Sequence, residues 1–120
     1  MDSRKSSKLG DCYQAAVNFV MSECMFGDSC PYIIVHAEVA GQGPLEGVQY
    51  GHAYVVDTTT DTVIDRSNGG NIQMPRATYE AIGKVKRIDN LFEYEWRDAK
   101  RYLMLYKHYG PWDLQTSTGL

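Results

Sequence analysis

The stretch VQYGHAYVVDTTTDTVIDRSNG, Val48 to Gly69, reads as two apolar, β-branched runs around a polar knot of Asp and Thr. Such runs, bounded by turn residues and joined by a short connection, are antiparallel strands. His52 interrupts the first run and Asp65 closes the second. With Asp57 to Thr60 as the loop and Val56 paired to Asp61, His52 falls directly opposite Asp65. Opposed residues share a face with Cβ atoms about 4.5–5.5 Å apart, a gap that an imidazole–carboxylate hydrogen bond spans. A one-residue slip would place the two on opposite faces.

The rest of the chain is arranged around that hairpin. In DCYQAAVNFVMSECM, apolar residues recur near helical spacing, and Asp11 with Gln14 three residues on forms a capping box; the pattern predicts a helix over Cys12 to Met25. FGDSCP ends it, with Gly27 as a left-handed cap and Pro31 beyond. YIIVHAEVA predicts a strand. GQGPLEG imitates a phosphate-binding glycine pattern, but Pro44 interrupts it and a strand follows it, so a nucleotide site is set aside. PRATYEAIGKV predicts a short helix opened by Pro75, VKRIDNLFEYEW a further strand, and WRDAKRYLMLYKHYG a C-terminal helix with Leu103, Tyr106 and Tyr102 inward. Trp112 folds back over that helix as a lid. The expected class is α+β: an N-terminal helix on a small antiparallel sheet of three to four strands, with C-terminal helices.

The 120 residues suit one domain over 1–120, with residues 1–10 as a flexible arm. A net charge of −3 argues against a nucleic-acid partner, and the cluster Lys84, Lys86 and Arg87 reads as a solvated edge. MDSRKSSKLG is polar and no run is long enough for a membrane span, which predicts a cytoplasmic protein without membrane contact. Three cysteines, Cys12, Cys24 and Cys30, form an odd count without a CxxC pair. That argues against a disulfide framework and against a zinc ribbon; Cys24 and Cys30 read as structural, with a reactive surface thiol as a second reading of Cys30.

Cys12 has the position of a nucleophile. At the first residue of a helix, free N–H groups and the positive end of the helix dipole favour a thiolate and can hold an oxyanion. His52 would accept the thiol proton and Asp65 would orient the imidazole. Asp65 has a plainer role too, capping the turn at Ser67. Gly51 leaves space for a substrate backbone, Tyr50 shares the His52 face as a pocket wall, and Asn68 in the adjoining turn is a further substrate-binding residue and a second candidate for the orienting role. His36 is placed near Gly51 and His52 as a substrate contact; a mixed zinc site of Cys12, His36, His52 and Asp65 is weighed and set aside because the ligands lack a spacing signature. Catalysis of this kind needs no metal and no cofactor.

GDCYQAA, GHAYVV and VIDRSNG, in that order, resemble the cysteine–histidine–aspartate order of papain-like and transglutaminase-like enzymes. VHAEV paired with GHAYVV is also similar to segments of small phage-encoded proteins. The resemblance covers residues 10–70. It implies a cysteine opening a helix, with the histidine and the acid on neighbouring strands. It further implies a thiol hydrolase or acyltransferase acting on an amide, isopeptide or thioester bond of a protein or peptide. The glutamine that papain-like proteases place before the cysteine is missing; Ser6 and Ser7 stand there instead. The alternative is a non-catalytic, phage-encoded protein that binds and modulates a host protein from the same scaffold.

Overall fold

A computed structural model of the protein describes residues 11–24, 29–41, 43–85 and 90–115. The elements run α1 (Cys12–Cys24), β1 (Tyr32–Ala40), β2 (Gln49–Asp57), β3 (Thr62–Asp65), β4 (Ile72–Pro75), α2 (Arg76–Ile82), β5 (Leu91–Glu95) and α3 (Trp96–Tyr106). The class is α+β as expected, but the sheet has five strands in the order β4-β3-β2-β1-β5, all antiparallel. The fifth strand is β4, whose IQMP sequence carries little of the strand pattern and which joins the sheet by pairing with β3.

Alternation along the strands sorts the side chains onto two faces. Ile34, Ala53, Val55, Ile64 and Tyr94 face α1 and α3, and pack with Val17, Val20 and Ala99. Val35, Ala37, Tyr54, Val56 and Val63 face the other way, toward Tyr79 of α2. Full burial of a Val or Ile side chain stabilises by about 1.5–3 kcal/mol, so Val17, Val20, Ile34, Val35, Val55, Val56 and Val63 are the main apolar anchors. Leu103 and Tyr102 of α3 pack on the core as expected, whereas Tyr106 is 49% exposed. Trp112 does return over α3, stacking on Tyr102 at 5.3 Å between ring centroids.

The β2–β3 register differs from the expected one. Val56 pairs with Val63 and Asp57 with Thr62, so Asp65 is displaced by two positions from the place opposite His52. The cause is the turn: Asp57 accepts backbone bonds from Thr60 and Asp61, and Asp61 takes a left-handed φ of 57°, which leaves Thr58 to Asp61 outside the ladder. A slip of two keeps every side chain on its face, so His52 and Asp65 still share one.

Cys24 and Cys30 are joined by a disulfide, against the expectation of no such bond and against a reactive Cys30 thiol. The odd count has a simple meaning: one bridged pair plus one free thiol, Cys12. Disulfides belong to oxidising compartments, which stands against the cytoplasmic expectation. Among the described residues no helix is long and apolar enough to cross a membrane. The residue 1–10 arm, the Gly27 cap, Ser6, Ser7, Lys86 and Arg87 lie outside the described residues.

Candidate active site

Pairing between β2 and β3 stops at Val55 and Ile64. Beyond that point the first turn of α1 comes against the two strands, and Cys12 shares a crevice too narrow for water with Ala53, Tyr54, Ile64 and Asp65. Asp11 fixes the approach. Its Oδ1 accepts the backbone N–H of Asn68 at 3.0 Å, so the carboxylate expected to cap α1 ties the helix start to the Ser67–Gly69 turn instead. Asn68 presents its N–H there from a left-handed backbone, φ 55°, a conformation that asparagine tolerates better than most residues.

His52 is buried at the centre of the site. Its Nε2–H is directed at Asp65 Oδ2 (3.0 Å) and at the Tyr79 hydroxyl oxygen (3.1 Å). Tyr79 donates its own proton to the same Asp65 oxygen at 2.6 Å. Asp65 Oδ1 accepts the backbone N–H and the hydroxyl of Ser67, at 3.0 and 2.7 Å. The carboxylate thus both orients the imidazole and caps the turn, the two roles that sequence left as alternatives. Cys12 also acts on the imidazole, favouring its protonated form.

The charges follow from these contacts. Burial alone lowers the His52 pKa, but hydrogen bonds to Asp65 and Cys12 and the charges of both outweigh it and push the value up to about 10. Burial alone raises the Asp65 pKa; the bonds and charge of His52, with the bonds of Tyr79 and Ser67, hold it well below the usual carboxylate range. An imidazolium–carboxylate pair is the favoured state at neutral pH. Tyr79 is pushed far up, by burial first and then by Asp65, so it stays a hydrogen-bond donor.

His52 and Asp65 also form one wall of a groove of about 380 Å³. Tyr50 and Asn68, both expected to line a pocket, do so, beside Ser67, Ile72, Met74, Tyr79 and Ile82. Gly51 lies in β2 opposite Glu38 and is not among the lining residues. His36 is misplaced by the sequence reading. It pairs with Ala53 on the α1 face, one residue out of phase with His52. There it is fully buried between Tyr13, Tyr94 and Trp112, with ring centroids 4.8–5.1 Å away and no partner for either nitrogen. Burial pushes its pKa down to about 3. A Cβ on Gly110 would lie 2.8 Å from its Cε1, so the C-terminal segment closes directly over the ring. His36 therefore neither contacts substrate in the groove nor joins Cys12, His52 and Asp65 in a common ligand set. Among the described residues no cluster of three His, Cys, Asp or Glu side chains has metal-holding geometry.

Tyr79 is the member that sequence did not reveal. Its only signal is its place, one turn into a helix that starts directly after an edge strand of the same hairpin system. Compared with known proteins, the chain matches no family model, no curated protein and no solved structure.

Proposed function

We propose that the protein is a thiol enzyme, papain-like or transglutaminase-like in its arrangement, that cleaves or transfers an acyl group from an amide, isopeptide or thioester bond of a protein or peptide. The observation that carries this reading is that Cys12, His52 and Asp65 converge from three separate elements: Cys12 shares a crevice with Asp65, whose carboxylate accepts the His52 Nε2–H. Cys12 Sγ as thiolate attacks the carbonyl carbon, forming a C–S bond and an oxyanion. The free N–H groups at the start of α1 are the available donors to that oxyanion. His52 gives its proton to the departing amine or thiol as the acyl bond breaks. Water or an amine then attacks the thioester, returning its proton to His52 and releasing Cys12. His52 acts as a resident acid as much as a base.

Cys12 is the free thiol, so alkylation reads it directly. With iodoacetamide near neutral pH, Cys12 is expected to react at least about tenfold faster in the wild type than in His52→Gln, which lacks the imidazole beside the thiol. Equal rates in the two proteins overturn the reading. A second reading is favoured by one observation: Cys12 is only 6% exposed and is not among the residues lining the groove. In that reading the scaffold binds a protein, such as a phage's host target, without turnover; Cys12 would then resist alkylation in the folded protein at every pH.

A further inference from the structure

The groove beside His52 is chemically one-sided. Its lining includes Val39, Ile72, Met74 and Ile82, and none of its lining residues carries a charge apart from His52 and Asp65, which neutralise each other. Ile72 and Ile82 remain 41% and 52% exposed at its edges. Large aliphatic side chains left in water around a concavity mark a surface made to be covered. The volume, about 380 Å³, lies at the small end for ligand pockets. It holds one side chain or a short acyl chain rather than a folded partner.

The groove also adjoins the reacting atoms. Asp65, which with His52 forms its wall, also lines the crevice that holds Cys12. Asn68, at its edge, is bonded to Asp11, the residue before Cys12. A group lying in the groove therefore has its carbonyl end delivered toward the start of α1. Resting on the thiol chemistry above, we infer that this groove is the acyl-specificity pocket and takes a bulky, uncharged, apolar acyl group, either an aliphatic chain or the apolar side chain of the residue donating the carbonyl. A carboxylate or ammonium there would lose its water without finding a partner.

Two measurements keep this inference separate from the chemistry it rests on. The first is binding without turnover: Cys12→Ala protein is titrated with N-hexanoyl-glycinamide and N-succinyl-glycinamide while the Met74 methyl resonance is followed. The hexanoyl compound is expected to shift that resonance at concentrations at least about tenfold lower. The second is turnover of N-acetylcysteamine thioesters by the wild type. The hexanoyl and N-acetyl-phenylalanyl thioesters should exceed the acetyl and succinyl ones in kcat/KM by at least about tenfold. Preference between the first two identifies an aliphatic chain or an aminoacyl side chain as the natural source. Ile82→Glu puts a carboxylate at the groove's edge and should lower kcat/KM for the hexanoyl thioester by at least about tenfold, erasing the preference. Turnover without discrimination, or equal binding of the succinyl compound, overturns the pocket and leaves the thiol enzyme standing. Selective hexanoyl binding with no turnover of any thioester supports the pocket and removes the enzyme.

Discussion

At the scale of single residues, the site depends on Asp65 more than on any other group. Its two oxygens accept four bonds: from His52 and Tyr79 on one, and from the Ser67 backbone and hydroxyl on the other. Such a carboxylate cannot reorient without breaking the turn that follows it. Asp65→Asn removes the charge but keeps the shape. Burial, the largest influence on His52, then faces only Cys12, so the imidazole pKa should fall by several units; titration of the His52 ring by NMR reads this directly. An unchanged His52 pKa would mean that Asp65 does not hold the proton. Cys12, His52 and Asp65 were legible as a set because chain order and residue type point to them. Their face was legible because an even register slip leaves it intact. Tyr79 and Ser67 were not legible: a tyrosine in a short helix and a serine in a turn are ordinary, and only tertiary placement turns them on the carboxylate. His36 was misplaced because its phase relative to His52 depends on the β1–β2 register, which the long connection between the two strands does not fix.

At the scale of elements, α2 is the piece that most needs an explanation. It has seven residues, too few for a helix to persist on its own propensity. It is held by a buried network. Arg76 donates to Glu80 Oε2 at 2.8 Å and to Glu93 Oε2 at 2.7 Å, and Tyr54 donates to Glu80 Oε2 at 2.7 Å. The helix is thereby fastened to β2 and β5, and it carries Tyr79 to the site. Arg76→Met removes the guanidinium that pairs with buried Glu80 and with Glu93. Breaking one side of such a pair costs about 3–5 kcal/mol, and Glu93, which is 42% exposed in its side chain, places this case at the lower end of that range. Urea denaturation should show a loss of about 3 kcal/mol. A loss within about 0.5 kcal/mol, the ordinary surface range, would mean that the Arg76 ion pairs do not hold α2 in place. The short helix itself was legible from Pro75 and the periodicity behind it. The buried charges were not, because Arg and Glu four residues apart look like a solvated pair.

At the scale of the whole molecule, the two sheet faces carry histidines of opposite character. His52, on the α2 side, is raised to about 10 by partners that outweigh burial; His36, on the α1 side, is lowered to about 3 by burial without partners. Both have an ordinary value of 6.5, so stability should depend on pH in opposite senses either side of it. Above pH 6.5 the folded chain keeps the His52 proton that the unfolded chain has lost, and stability falls as pH rises toward about 10. Below pH 6.5 the unfolded chain protonates His36 and the folded chain does not, so stability falls as pH drops toward about 3. Asp65, held low, steepens the acid side below its ordinary 3.8, since there the unfolded chain takes up a proton that the native carboxylate refuses. The curve is therefore a dome centred near pH 6.5, with limbs approaching about 1.4 kcal/mol per pH unit for each group. Two substitutions separate the limbs. Phe at position 36 suits a box of Tyr13, Tyr94 and Trp112, and His36→Phe should flatten the curve between pH 6.5 and about 4 while leaving the alkaline limb in place. His52→Gln should flatten the alkaline limb and leave the acid one. Chemical denaturation across pH measures both; an acid limb as steep in His36→Phe as in the wild type would show that the buried ring is not the neutral group that burial requires it to be.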